Sequence, residues 1–204
     1  MLDTHSQKFV RPILTVIARL CLRLGISANA LTLAGLIVGL SAAGLVACGL
    51  TVAGIVVLWV SGVLDAADGT LARLTETSAI GAIMDITFDR IVEVALIFAL
   101  AWRFPEARLA LLALTAIIVV GMSMFLSIAA ALANHSTKSF HYAPGLAERT
   151  EGFIFLSLMA LDPARLVLWT LLFAAAIVFT MLQRFVYALT ALASDSEKRR
   201  NGLP

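Results

Sequence analysis

Four aspartates stand in two close pairs in a chain that is otherwise rich in apolar residues. Asp65 and Asp68 are three residues apart, and Asp85 and Asp89 are four apart. On helices, spacings of three and four put both carboxylates of a pair on one face. Four carboxylates beside an apolar medium repel one another and lose hydration, so they need a compensating positive charge among them. A divalent metal is the direct candidate, because carboxylate oxygens are its preferred ligands. The competing reading is helix glue, since small residues mediate helix packing in membranes. Glue, however, does not call for four acids at these spacings beside a single Arg73.

The elements that must carry these residues are membrane helices. The chain has 204 residues, of which 61% are hydrophobic and 14% charged, and its mean hydropathy is +0.98. Soluble domains are less apolar and carry nearly twice that share of charge. The fold class expected is all-α, a polytopic membrane protein forming a single domain. Met1 to Lys8 is polar and has no small-residue cleavage site, so no cleavable leader is expected. Cys21 and Cys48 lie in apolar surroundings with no metal or disulfide spacing and read as packing residues. No nucleic-acid partner is expected.

Six spans can be counted. Leu24 to Leu64 contains no charge, long enough for two helices of roughly 20 residues each, divided near Gly49 to Thr51. The third runs from about Gly81 to Trp102, the fourth from Leu109 to Ala133, the fifth from Gly145, and the sixth from Arg165 to Ala193. Residues 8–24 form a separate element. At 100° per residue, Lys8, Arg11, Arg19 and Arg23 fall within about 120° of arc, with Val10, Ile13, Leu14, Ile17, Leu20 and Leu24 opposite. This predicts an amphipathic helix in the plane of the inner interface, with Pro12 suited to its first turn. The six-helix bundle is then 26–193, and 194–204 is a polar tail. With the N-terminus inside, only Arg103, Arg108 and Arg165 of the 15 Lys and Arg fall on outer ends. The remaining twelve lie at cytoplasmic ends, which predicts both termini and all four aspartates on the cytoplasmic side.

Asp65 to Asp89 resembles the signature of the CDP-alcohol phosphotransferase family, D-x-x-D-G-x-x-A-R followed by G-x-x-x-D-x-x-x-D. Asp65, Asp68, Gly69, Ala72, Arg73, Gly81, Asp85 and Asp89 occupy its fixed positions. The family's six spans and interfacial helix also match the count above, so the resemblance covers nearly the whole chain. One departure concerns spacing. Seven residues, Leu74 to Ile80, stand where the family commonly has eight. In a continuous helix this would rotate the second pair by about 100°. Thr75, Thr77 and Ser78 instead predict a loop, with an N-cap at Thr77 or Ser78.

The resemblance implies that an alcohol attacks the lipid-linked phosphate of CDP-diacylglycerol and that CMP leaves. It implies Mg²⁺ or Mn²⁺, as two ions, held by Asp65, Asp68 and Asp85. Asp89 would close the metal cluster and deprotonate the acceptor hydroxyl. The nucleotide would meet Asp65, Asp68, Gly69, Ala72, Arg73 and Gly81: the small residues admit it to the backbone, and Arg73 offers a bidentate donor to phosphate. A homodimer in a bacterial inner membrane is the assembly implied.

The acceptor is read from other residues. Arg184 lies about nine residues before the polar tail, roughly 14 Å into the membrane, where an arginine needs an anion. Arg149 lies in Glu148-Arg149-Thr150, similar to segments that bind an acceptor phosphate in some relatives. With Lys138 and Glu93, these residues point to a phosphorylated polyol, glycerol 3-phosphate or inositol phosphate. The alternative pairings are Arg149 with Glu148 or Glu151 and Arg184 with Glu93. An unphosphorylated acceptor such as serine, inositol or a lipid alcohol stays open, as do a cation transporter and a non-catalytic assembly protein.

Overall fold

Glycines and serines between the apolar runs decide where helices stop and start. In a computed structural model, residues 2–135 and 149–200 are described, with side chains over 12–132 and 149–193. The described residues form seven α-helices and no strand. They are α1 (Leu2–Arg23), α2 (Ala28–Ala47), α3 (Thr51–Leu74), α4 (Ala79–Arg103), α5 (Arg108–His135), α6 (Arg149–Leu161) and α7 (Leu166–Arg200). Short 3₁₀ turns at Pro105–Ala107 and Pro163–Arg165 lead into α5 and α7.

Gly25 and Gly49 have φ of 71° and 89°, which an L side chain resists. Each ends a helix in a Schellman turn: Ile26 N–H donates to Cys21 O, and Leu50 N–H donates to Leu45 O. The turn expected at Gly49 is therefore present. Ser27 caps α2 and Ser78 caps α4, each through its side-chain oxygen.

Two boundaries differ from the sequence reading. The second span does not stop at Leu64 but continues as helix to Leu74. Asp65, Asp68 and Arg73 thus belong to the same rod as the apolar run, because the i→i−4 bonds of a helix are indifferent to side-chain charge. α1 begins at Leu2 and carries Pro12 inside it, so Pro12 does not mark a first turn. Its apolar face is also divided. Leu14, Ile17, Ala18 and Cys21 pack against Ala67 and Leu71 of α3, whereas Ile13, Val16 and Leu20 are exposed. Cys48, expected as a packing residue, is exposed at the C-cap of α2.

Among the described residues, four segments are long and apolar enough to cross a membrane: Ala28–Ala47, Thr51–Leu74, Pro105–Leu132 and Pro163–Ala193. α4 has the length, 25 residues, but its acids and arginines dilute its apolarity. The described part of α6 is 13 residues, and the start expected at Gly145 lies outside the described residues. The outward faces are apolar, with Leu112 66% and Leu171 56% exposed. That is unfavourable in water and natural against lipid.

The core runs through Leu58 of α3, Leu96 and Leu100 of α4, Leu111 and Leu114 of α5, Leu156 and Met159 of α6 and Phe173 of α7. α2 lies against both α3 and α4, and α5 lies against α7. Glycines allow the close approaches. A Cβ on Gly54 would stand 2.9 Å from Ala42 O of α2, and one on Gly62 would stand 2.8 Å from the Phe153 ring of α6. α6 is thereby set antiparallel on α3. Trp59 Nε1 donates to Ser157 Oγ at 3.2 Å, the Trp59 and Phe153 rings meet edge-to-face at 5.9 Å, and Arg149 reaches Asp65.

Candidate active site

Asp65 and Asp68 project from the last turns of α3, and Asp85 from the first turns of α4. One carboxylate oxygen from each lies within 4.8 Å of the other two. This convergence depends on the chain between them. α3 ends at Leu74, residues 75–78 form a loop, and Ser78 Oγ accepts from Gly81 N–H at 3.0 Å to start α4. The shorter spacing is therefore taken up in a loop, as expected, and the second pair is not rotated away.

The donor set fits a hard cation. Asp68 is 4% exposed, and its Oδ2 is buried without a hydrogen-bond partner. Such an oxygen is costly unless a cation meets it.

The small residues divide into two kinds. A Cβ on Gly69 would find only Arg73 Nη1, at 3.7 Å, so the surface above it is open to a ligand. Arg73 is exposed, and its Nη2 donates to Thr70 Oγ1 at 3.1 Å. Ala72 is half-buried beside it. At Gly81 the space is already taken, by Ser78 Oγ at 3.0 Å and Asn29 Oδ1 at 3.1 Å from an added Cβ. The missing side chain there serves to seat the start of α4 against the start of α2.

One turn beyond Asp85, Asp89 faces a cavity of about 380 Å³ among α4, α5, α6 and α7. Glu93, Arg149 and Arg184 line the same cavity, so four of the residues singled out in the sequence meet there. Lys138 lies outside the described residues. Among the described residues the ion pairs differ from the alternatives weighed above, and Glu148 lies outside those residues. Arg149 pairs with Asp65 and, at 2.5 Å, with Asp89, its guanidinium resting over Phe153 at 5.4 Å. Glu93 is buried and pairs with Arg90. Arg184 lies over the Phe125 ring at 4.9 Å.

Arg90, Phe125 and Thr180 also line the cavity, and sequence reasoning did not pick them out. Arg90 was legible as an i,i+3 partner of Glu93. Phe125 and Thr180 sit in apolar runs that carry no signal.

Chemically, the arrangement places a carboxylate cluster suited to a cation next to a chamber with guanidinium groups in its wall and one carboxylate, Asp89, facing both. That suits a reaction between a pyrophosphate and a second, anionic substrate.

Comparisons with known proteins agree with this geometry. Residues 25–194 match the family described as CDP-alcohol phosphatidyltransferase. The inner membrane protein YnjF of Escherichia coli is 34% identical over 174 residues, spanning 80% of this chain and 84% of that protein. The phosphatidylinositol phosphate synthase of Corynebacterium glutamicum is 32% identical over 199 residues, spanning 92% and 89%. Among solved structures, the Mycobacterium tuberculosis phosphatidylinositol phosphate synthase with CDP-DAG bound is similar at a TM-score of 0.71 and 29% identity, covering 88% of this chain and 94% of that one. The same enzyme in complex with manganese and citrate gives a TM-score of 0.70 at 28% identity, covering 87% and 89%. Apolar helices, an inner-membrane relative and a family match over most of the chain converge: this integral membrane protein belongs to the CDP-alcohol phosphatidyltransferase family.

Proposed function

We propose that the protein transfers a phosphatidyl group from CDP-diacylglycerol to a small phosphorylated polyol, glycerol 3-phosphate or inositol phosphate, and releases CMP. The observation that carries this reading is the joint presence of Asp89, Arg149 and Arg184 on one cavity beside the Asp65, Asp68 and Asp85 cluster. Arginines on a chamber inside an apolar bundle suit an acceptor that is itself an anion. The likeness to phosphatidylinositol phosphate synthases of two organisms supports the same choice over serine, inositol or a lipid alcohol.

Asp65, Asp68 and Asp85 would hold Mg²⁺ or Mn²⁺, as two ions, with Asp89 at their edge. When bound, the cation neutralises pyrophosphate oxygens and the charge that grows on the leaving phosphate. Gly69 and Ala72 leave the backbone of α3 open to the nucleotide, and Arg73 takes one of its phosphates. Gly81 contributes by holding the first turn of α4 in place. Arg149, Arg184 and Lys138 bind the acceptor phosphate, and Glu93 faces the hydroxyls. Asp89 takes the proton of the attacking hydroxyl. The oxygen so freed bonds to the lipid-linked phosphorus, the bond from that phosphorus to the bridging oxygen breaks, and CMP carries the electron pair away.

α2 to α7 are the six spans, with α1 lying on the cytoplasmic interface and both termini inside, a topology supported by the charge distribution. Cys48 then faces the outside, and a membrane-impermeant maleimide applied to intact cells should label it. A homodimer rests on the family likeness, and crosslinking in membranes tests it.

An acceptor panel tests the function. Purified protein, CDP-diacylglycerol and Mn²⁺ are combined with glycerol 3-phosphate, inositol phosphate, inositol, serine or phosphatidylglycerol, and CMP and lipid products are measured. Turnover confined to unphosphorylated acceptors would falsify the arginine pocket. Asp89→Asn should lower turnover about 10²–10⁴-fold while metal-dependent CDP-lipid binding persists. Loss of that binding would reassign Asp89 to the metal alone.

A further inference from the structure

Arg149 stands where the two parts of the site meet. One of its atoms, Nη1, contacts both Oδ2 of Asp65, a member of the carboxylate triad, and Oδ1 of Asp89, on the cavity wall. Its Nε is buried without a hydrogen-bond partner, so its capacity to donate is not used up. Phe153, one turn further along α6, is lodged against Gly62 and supports the guanidinium from one face. The position of Arg149 is thus set by α6 packing on α3.

We infer that Arg149 couples cation binding at the triad to phosphate binding in the cavity, so that each strengthens the other. This rests on the function proposed above, in which the triad takes a divalent cation and the cavity a phosphorylated acceptor. The physical reason is competition for Asp65. A guanidinium and a divalent cation on the same carboxylate repel each other at short range, and an environment largely screened from water weakens that repulsion little. A phosphate in the cavity offers Arg149 a bidentate partner of higher charge. It draws the guanidinium off Asp65 and leaves the carboxylate to the cation. Linkage makes the effect reciprocal: a cation on Asp65 releases Arg149 to the phosphate. The acceptor site is then completed by the same event that readies the triad, before attack can begin.

The test measures binding rather than turnover. Full-length protein in detergent is titrated with Mn²⁺, and the free ion is followed by electron paramagnetic resonance, with and without glycerol 3-phosphate or inositol phosphate. In the native protein the phosphate should tighten Mn²⁺ binding roughly tenfold, within the usual range for coupled sites. Arg149→Gln should bind Mn²⁺ more tightly than native without phosphate and should lose the response to it. Arg149→Lys, which keeps the charge and guards against misfolding of the first variant, should retain part of the response.

Mn²⁺ binding that Arg149→Gln leaves at the native strength, or a response that survives in it, overturns the coupling alone. Loss of the response in an Arg149→Lys protein that elutes like native does the same. A native protein that binds no Mn²⁺, or whose binding is indifferent to Asp85→Asn, overturns the reading of the triad and the coupling with it.

Discussion

The carboxylate triad and the arginine-lined cavity share a border at Asp89 but are built by different means. The triad draws on two helix ends joined by the loop at residues 75–78 and spans Asp65 to Asp85. The cavity draws on four helices, from Ile86 on α4 to Arg184 on α7. In the triad, local spacing and two caps nearly dictate the geometry. In the cavity, apart from Arg90 with Glu93 and Arg149 with Phe153, the contacts join residues far apart in the chain, such as Arg149 with Asp89 and Arg184 with Phe125. On the function proposed above, the triad can stay constant as the phosphoryl-transfer centre while substitutions on α5 to α7 alter the chamber beside it. This is how one reaction can serve different acceptors.

The largest effect should come from the triad. Chelating the divalent cation, or replacing Asp68 with Asn, should lower CMP release at least about 10²-fold for every acceptor tried. Mn²⁺ should restore the chelated native enzyme but not the variant. If Asp68→Asn affected one acceptor only, the division between the two regions would be wrong.

A smaller and selective effect is expected in the cavity. Arg184→Gln removes a charge-assisted contact of about 1.5–3 kcal/mol, or roughly 10- to 100-fold in KM for the phosphorylated acceptor. The KM for the CDP-lipid should hardly move. An equal rise in both constants would merge the two regions into one.

The packing between them gives the smallest effects. Gly62→Ala puts a methyl 2.8 Å from the Phe153 ring, an overpacking that should cost about 1–3 kcal/mol in thermal unfolding in detergent. It should also weaken acceptor binding by shifting Arg149. Gly69→Ala meets only Arg73 Nη1 at 3.7 Å, so its stability should stay near native while its KM for the CDP-lipid rises. Ser78→Ala removes the cap of α4 and should cost about 1 kcal/mol.

Much of the triad was legible in the sequence because its logic is short-range. The spacings of three and four set the carboxylate faces, and Thr77 or Ser78 marked the start of α4, where Ser78 is the cap. Helix ends were less legible where charge was taken as a boundary. α3 runs on to Leu74 although the apolar run stops at Leu64, since a helix can carry acids past the lipid core when its neighbours accommodate them. The partners of the buried charges were least legible. Arg149 reaches Asp65 and Asp89 only because Gly62 admits Phe153 and sets α6 against α3. The sequence offered Glu148 or Glu151 as local partners for Arg149 instead.

By itself, the sequence determined that this chain is helical, built for a membrane, and furnished with a carboxylate cluster of a recognisable phosphoryl-transfer type. Composition and periodicity act within a single helix, where spacing translates directly into a shared face. Only the tertiary structure decided which arginines line the cavity, which acid neutralises which base, and that Arg149 touches both the triad and the cavity wall. Those outcomes depend on how close two helices can come. That distance is set by the small residues and rings between them, at positions far apart in the chain.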